Sequence, residues 1–285
     1  MDWEFQLVGD YIAIENLVQA LNSKQQCRNN LPYFSDAEVL SVYFWGLKAG
    51  LRTIRSIHDF TSNMLREWFP HLPGYQQYDK RLNSMADLIE TCFFVVSLSS
   101  ESMSITSAID SMPVVIAKEK RSSNAATAAD IADKGYCASK GEYYYGVKLH
   151  MVVDADENQA PFAIRLGDIS QASEHDINFL KKNHLIINTE RLYADKAYIS
   201  DALAEKMRAI GVQLITPDKK PKNGELSLAQ HFRNSFVSST RQAIETAFAW
   251  LQERTGLGNA SKVRSSSGLR RQIFGGLLAA ATGCV

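Results

Sequence analysis

The stretches YYYGVKLHMVV (143–153) and PFAIRL (161–166) decide the fold of this 285-residue chain. Each is a strand-like run, and the polar stretch DADEN (154–158) separates them. The two runs therefore predict a β-hairpin. The turn resembles a calcium-binding EF-hand loop only superficially, because Gln159 and Arg165 stand where that loop needs a glycine and a bidentate glutamate. Calcium is not expected there.

Helices and strands alternate on either side of this hairpin. Before it, residues 105–109 predict a short buried strand that closes at Asp110 and is broken by Pro113. After it, the pattern predicts, in order, a helix from 173, a strand that ends at 195, a helix at 200–210, a strand at 212–215 and a last long helix. Antiparallel pairing followed by helical crossovers predicts an α/β fold with a sheet of mixed strand direction.

The first hundred residues predict a compact helical bundle. Apolar residues recur at helical spacing in 7–21, a capping box opens a helix at 35–38, and a long helix is expected from Gln76. We therefore divide the chain into an N-terminal all-α domain at 1–100 and an α/β domain at 101–285. The short helices also fit a helix-turn-helix that docks on DNA, but this region has 8 Lys+Arg against 11 Asp+Glu, so both interpretations stay open.

Charge is distributed unevenly along the chain, although the net charge is zero. Residues 1–170 hold 15 Lys+Arg against 21 Asp+Glu, whereas residues 171–285 hold 16 against 10. No acidic residue follows Glu253, and the basic residues beyond it are Arg254, Lys262, Arg264, Arg270 and Arg271. Such a segment suits a phosphate-rich partner, and a solvated basic surface is the alternative.

Composition favours a globular protein of the cytosol with no membrane partner. At 45% hydrophobic residues the chain can bury a large core, and no apolar run approaches the roughly 18 residues that span a bilayer. The first residues, MDW, carry an acid rather than the basic start of a signal peptide. The four cysteines are scattered without a Cys-x-x-Cys pair, which indicates neither a zinc cluster nor a disulfide framework.

Three acidic residues, Asp110, Asp195 and Glu245, are the candidate catalytic and metal-binding groups. Asp110 and Asp195 end predicted strands, and residues just past strand carboxyl ends face the crevice where α/β sheets bind ligands. Glu245 shares a helix stripe with Arg241, and that helix can bring it beside the two strand ends. Converging carboxylates repel one another unless a cation neutralises them, and Mg²⁺ or Mn²⁺ prefers such oxygen ligands. Two such ions can activate a water or a 3′-hydroxyl against a phosphodiester.

A structural role for the three acids is the alternative. Asp110 then caps a turn, Asp195 pairs with Lys196, and Glu245 bonds to Arg241 one helical turn earlier. A carboxylate-pair glycosidase needs only two acids, but it gives no role to the basic end of the chain. Serine hydrolases, nucleoside triphosphatases and zinc proteases are excluded, because none of their motifs occurs.

Six short blocks occur in the order found in insertion-sequence DDE transposases, and through them the chain resembles that family. The blocks are DSMPV (110–114), YYYGVKLHMVVD (143–154), SEHD (173–176), LYADKAYIS (192–200), the helix with Arg241 and Glu245, and KVRSSSGL (262–269). The likeness extends more weakly into the N-terminal part through YFSDAEVL (33–40) and YQQYDKRLN (75–83).

The resemblance implies a ribonuclease H-like catalytic fold in 101–285, ending in a basic C-terminal segment. By position, Asp110, Asp195 and Glu245 would be the catalytic residues and the ligands of two Mg²⁺ ions, for which Mn²⁺ can substitute. The implied reaction is hydrolysis of DNA at transposon ends and transfer of the 3′-ends to target DNA. The implied partners are double-stranded DNA, as terminal repeats and target, and a second copy of the chain in a homodimer on DNA. The implied location is the bacterial cytosol, in association with the nucleoid.

Some departures from the family pattern leave activity open. Ala194 and Ala197 stand where relatives commonly have glycine, and Ser238 and Gln252 stand where one group has tyrosine and lysine. A catalytically decayed or repurposed DNA-binding relative is therefore the alternative to an active transposase.

The candidate DNA-binding residues are Arg241, Lys196, Lys118, Lys120, Arg121, Lys262 and Arg264. The guanidinium of Arg241 can grip a phosphate or orient Glu245. Lys196 either approaches the scissile phosphate or pairs locally with Asp195. His150 alternates with apolar residues on one strand, and we expect it to be a hydrogen-bonded surface residue rather than a metal ligand.

Overall fold

Five helices come first in the described part of this computed structural model, which covers residues 3–21, 33–98, 104–138, 140–155, 163–221 and 224–283. They are α1 (Trp3–Leu21), α2 (Asp36–Lys48), α3 (Ile54–Met64), α4 (Tyr75–Ser84) and α5 (Ala86–Leu98). The capping box before α2 is confirmed, because Ser35 and Glu38 each accept a hydrogen bond from the other's backbone N–H. The single helix predicted from Gln76 is wrong. The chain turns between α4 and α5 at Met85, whose N–H bonds to the Leu82 carbonyl three residues back, and apolar spacing does not reveal that break.

Six strands form one mixed sheet in these described ranges. They are β1 (Ser104–Lys118), β2 (Asp133–Cys137), β3 (Glu142–Asp154), β4 (Ile164–Gln171), β5 (Thr189–Tyr193) and β6 (Gln213–Ile215). β2 and β4 pair antiparallel with successive parts of β3, and β1 also pairs antiparallel with β3. β5 then pairs parallel with β1, and β6 with β5. The hairpin of β3 and β4 and the mixed α/β sheet are confirmed, although most of the turn between those strands lies outside the described residues; β2 was not predicted.

Helices cover both faces of this sheet. The later ones are α6 (Asp176–Asn183), α7 (Asp201–Ala209), α8 (Leu228–Thr240), α9 (Gln242–Thr255) and α10 (Ser266–Gly283). From β1, Ala108 and Met112 join a hydrophobic cluster with the N-terminal helices, α9 and α10, whereas Ile109 joins a second cluster with α6 and α7. Phe93 of α5 and Phe274 of α10 have ring centroids 6.0 Å apart within the first cluster. Of the helices described, none is long and apolar enough to cross a membrane.

β1 runs well past the point where the sequence predicted its end. Both Asp110 and Pro113 lie inside the strand. The prediction that the strand closes at Asp110 and is broken by Pro113 is therefore wrong. β5 pairs with β1 only as far as Ala108. The Val115 N–H donates to the Gly258 carbonyl rather than to β3. The edge of β1 to which it points is therefore the one opposite β3. Proline is tolerated at position 113 because its missing N–H faces an edge that β5 no longer occupies.

β3 approaches β1 closely at Gly146. This residue pairs with Val115 beside an irregularity in the ladder, and a Cβ atom built at position 146 would lie 2.1 Å from the backbone oxygen of Val114. No side chain has room at this contact, so glycine is required by close backbone approach.

The predicted last long helix is divided at Arg241. This residue ends α8 and precedes α9, so Arg241 and Glu245 do not lie along one continuous helix as expected. Glu245 instead stands in the first turn of α9, and its N–H bonds to the Arg241 carbonyl at 3.4 Å. Because of this break, the Arg241 side chain does not share a helical stripe with Glu245.

The basic C-terminal segment packs in part against the N-terminal helices. Arg270 forms ion pairs with Asp87 and Glu90 of α5, and Arg271 is buried against Tyr43 of α2. The segment is therefore not a uniformly solvated basic surface, and only some of its cations face solvent.

Candidate active site

Asp110 and Asp195 lie together where β1 leaves its parallel partner. β1 and β5 pair in register up to Ala108 and Tyr193, so each aspartate is two residues beyond the last pair and on the same face. This face is the one covered by α8 and α9, since the Tyr193 ring meets Phe236 of α8 with centroids 6.0 Å apart. The topology thus brings two of the three predicted site residues to one edge.

The Asp110 carboxyl is held in a largely buried setting. Burial raises the pKa of Asp110 above its usual range, and the charge of Asp195 adds to the rise. Two groups oppose it: the Arg241 guanidinium forms an ion pair with the carboxylate, and the Ser111 N–H donates to it at 2.8 Å. A carboxylate in this position is stabilised by a nearby cation, and in this structure Arg241 supplies the positive charge.

Asp195 lies two residues beyond the end of β5 and caps a short 3-10 turn, Lys196–Tyr198. Its carboxylate accepts a hydrogen bond from the Ala197 N–H, which fixes the side chain at the strand end. The expected ion pair with Lys196 is absent from the described residues, and the Lys196 side chain is exposed. Asp195 therefore has no ion-pair partner in the described part of the chain, and it lies on the side of the sheet where Asp110 lies.

Tyr198 is a further residue beside the site that was not predicted from the sequence. Its side chain is fully buried beside the site, and its hydroxyl has no hydrogen-bond partner among the described residues. Burial is the main cause that raises the pKa of Tyr198, followed by the charge of Asp176 and then by those of Asp110 and Asp195. The signal that could have found it is its place in the block LYADKAYIS, three residues after Asp195.

Glu245 does not complete a three-carboxylate cluster. Its side chain is exposed on α9, and within the described ranges no group of three or more His, Cys, Asp or Glu side chains is placed to hold a metal ion. The alternative pairing of Glu245 with the Arg241 guanidinium is not found either, because that guanidinium bonds to Asp110. Ile244 and Ala247, on the buried side of the same helix, join the cluster beneath the sheet face that carries Asp110.

The chemistry of the two aspartates fits a divalent cation. Both offer carboxylate oxygens, the ligands that Mg²⁺ and Mn²⁺ prefer, and their mutual repulsion is relieved by positive charge between them. Glu245 is the third predicted ligand and lies one helical turn from Arg241, whose side chain already reaches Asp110.

The predicted DNA-binding cations occupy different places. Lys118 ends β1, eight residues from Asp110, which corresponds to roughly 26 Å along an extended strand. Lys118 lies 3.9 Å from a Glu142 oxygen, and Lys120 and Arg121 are exposed on the turn that follows. These three cations are therefore remote from the aspartates. Lys262 and Arg264 are exposed on the segment between α9 and α10.

His150 is buried, so the expectation of a surface histidine is wrong. Its ring stacks on Phe179 of α6 with centroids 4.0 Å apart, and its Nε2 lies 2.8 Å from the Ser170 hydroxyl. The error arose because strand alternation does not show that α6 covers this face. Burial lowers the pKa of His150 to about 4.

We expect His150 to make stability fall in mild acid. The folded-state pKa of about 4 is below the ordinary 6.5, so the unfolded chain takes up the proton first. The contribution is present above pH 6.5 and is lost as pH falls toward 4, by about 3 kcal/mol in total. Urea unfolding between pH 7 and pH 4 measures the free energy of unfolding of the wild type and of His150→Phe. We expect the stability of the variant relative to the wild type to rise as pH falls. In the control His231→Gln, at an exposed position, the pH profile should match the wild type; equal slopes for His150→Phe and wild type contradict the prediction.

A sequence model described as "Transposase DDE domain" matches residues 101–281, which is more than half of the chain. A search for similar curated proteins found no match. The matched range contains the whole sheet and all the residues of the site.

Proposed function

Because the chain belongs to the transposase DDE domain family, we propose that it is the DNA transposase of an insertion sequence. It hydrolyses phosphodiester bonds at the transposon ends and transfers the 3′-ends to target DNA. The observation that carries this proposal is the placement of Asp110 and Asp195 on one face of the sheet. Each lies two residues beyond the last pair between β1 and β5. A mixed sheet covered by helices on both faces supports a ribonuclease H-like arrangement of residues 101–285.

The metal ligands in this proposal are Asp110, Asp195 and Glu245, holding two Mg²⁺ ions for which Mn²⁺ can substitute. When bound, the ions activate the attacking water or 3′-hydroxyl and stabilise the leaving oxygen. The protein's own groups supply position. The Ser111 N–H orients Asp110, and the Ala197 N–H orients Asp195, so both carboxylates are held before any DNA arrives.

Arg241 has two roles in succession. It first offsets the charge of Asp110 in the metal-free protein, which limits the cost of keeping a largely buried carboxylate charged. Once released from Asp110, its guanidinium is free to contact a DNA phosphate. Glu245 then joins from the first turn of α9, the helix that begins just after Arg241.

Double-stranded DNA is the proposed partner, with a homodimer of the chain bridging two ends. The division into a helical part at 1–100 and a catalytic part at 101–285 also stays a proposal. The two parts share one hydrophobic cluster, so any division is one of role and not of separate cores.

We expect cleavage to depend completely on a divalent metal. The substrate is a DNA fragment with the coding sequence of this chain and its flanks on both sides. With Mg²⁺ or Mn²⁺, 3′-hydroxyl ends should appear at fixed positions in the flanks, and chelation with EDTA should lower the rate at least about 100-fold. Denaturing gels and primer extension measure both, and added Mg²⁺ should restore the rate.

The same fragment separates the alternatives. A decayed relative binds the flanks but cuts in neither metal, and that result contradicts the proposed activity. A glycosidase has no reason to bind DNA, and its sugar binding hardly responds to salt, whereas DNA affinity falls steeply as salt rises.

A further inference from the structure

A groove rich in positive charge lies between the N-terminal helices and the segment that joins α9 to α10. Its volume is about 910 Å³, near the upper end of the roughly 300–1,000 Å³ of small-molecule pockets. One carboxylate, Asp79, lines it. The basic side chains that line it are Arg52, Arg55, Lys80, Lys262, Arg264 and Arg271.

Most of this charge is not neutralised by carboxylates. Arg52 donates to the Glu253 backbone carbonyl, and Arg264 donates to backbone carbonyls of its own segment, all of them neutral acceptors. Lys80 and Lys262 are exposed, and neither has a carboxylate within ion-pair distance in the described parts of the chain. Arg55 alone of the six forms an ion pair, 2.9 Å from Asp59. The groove is thus lined by six basic side chains and one carboxylate, which favours an anionic ligand.

Arg271 points to an anion more specifically than the surface cations do. It is 9% exposed, its Nη1 lies 3.2 Å from the Tyr43 hydroxyl, and its Nε has no hydrogen-bond partner among the described residues. A buried guanidinium without a carboxylate partner is costly. An anion in the groove would offset that cost, whereas a structural role needs only the packing against Tyr43.

Two helix N-termini add to the field of the groove. Thr53 and Ile54, at the start of α3, line it, and so do Ser265 and Gly268 at the start of α10. The helix dipole makes such ends favourable for negative charge, while the Thr53 and Ser265 hydroxyls already accept from one backbone N–H at each end. Cations and helix ends are present on both walls, which suits a row of phosphates rather than one small anion.

We propose that this groove binds the phosphate backbone of duplex DNA, away from Asp110 and Asp195. The choice of duplex DNA as the ligand rests on the proposed function. The groove contacts phosphates and not base edges, so it holds DNA of any sequence while the aspartate site performs the chemistry. The N-terminal helices thereby take part in DNA binding through α3 and α4 together with the α9–α10 segment.

The test is the affinity for duplex DNA of Lys80→Ala/Lys262→Ala, measured by fluorescence anisotropy. The probes are two labelled 30-base-pair duplexes of unrelated sequence, in EDTA, over a series of salt concentrations. We expect affinity for both duplexes to fall about tenfold or more, and the slope of log K against log salt to decrease by about 2, since each lost phosphate contact removes about 0.9. The control Lys206→Ala/Arg208→Ala removes two exposed cations of α7 and should bind as the wild type does.

The proposal is overturned if Lys80→Ala/Lys262→Ala binds DNA with the affinity and salt slope of the wild type. It is also overturned if the α7 control loses as much DNA affinity as this variant. Circular dichroism checks that both variants fold. The binding test uses no metal and no cleavage, so it separates the two proposals. If the protein nicks DNA but Lys80→Ala/Lys262→Ala binds it normally, only the proposal for the groove is overturned. If binding depends on the groove but no metal-dependent nicking occurs, only the proposed activity is overturned.

Discussion

Asp195→Asn should lower the rate of DNA cleavage by about 10³-fold or more while leaving the fold intact. The asparagine oxygen can still accept from the Ala197 N–H, so the turn after β5 is kept. The lost negative charge removes one of the two carboxylates that the strand register brings together. Nicking rates in Mg²⁺ measure the first effect. Duplex affinity in EDTA should change little, because the proposed groove is a separate surface.

The matched control is Asp201→Asn, which makes the same chemical change at an exposed position in the first turn of α7. We expect its nicking rate to stay within about twofold of the wild type, as for most surface substitutions. Cleavage retained by Asp195→Asn contradicts the assignment of the site. Equal losses in both variants point to a general effect of charge and contradict it as well.

Gly146→Ala should lower the free energy of unfolding by about 3 kcal/mol. The added Cβ would meet the backbone oxygen of Val114 at 2.1 Å, and both atoms belong to paired strands at the centre of the sheet. A flexible side chain could rotate away, but a backbone oxygen in a ladder moves only if the pairing of β1 and β3 shifts. Urea denaturation with a two-state fit measures the change.

Gly9→Ala is the comparison for this prediction. Gly9 lies on the exposed side of α1, and a Cβ there would meet nothing within 4 Å. We expect this variant to be more stable by about 0.5–1 kcal/mol, because alanine is the better helix former. A Gly146→Ala protein as stable as the wild type shows that the strands at the bulge can separate without cost, contrary to our expectation.

The sheet was largely predictable because its strands carry clear patterns. The hairpin of β3 and β4 and the alternation of helix and strand through β6 follow from the sequence, and both are confirmed. The length of β1 was not predictable. Pro113 signals the end of a strand, and only the pairing shows that its edge is free of β5 beyond Ala108.

Backbone pairing places Asp110 and Asp195 on one face, as predicted for neighbouring strands, whereas a helix break separates Glu245 from them. Asp110 and Asp195 each lie two residues beyond the last pair of two parallel neighbours, although β1 itself continues past Asp110. The sequence did not predict that Arg241 pairs with Asp110. The apolar spacing continues through the junction of α8 and α9 and gives no sign of the break. That break directs Arg241 to Asp110 and leaves Glu245 exposed.

The packing of α10 against α5 bears on the order of events during synthesis. Phe93 leaves the ribosome long before Phe274, yet the two rings meet in the same cluster. The face of α5 that packs on α10 therefore stays uncovered until nearly the whole chain has been translated, and such late contacts slow folding. An interrupted translation product would carry both aspartates but lack α10, so we expect it to be unstable and degraded.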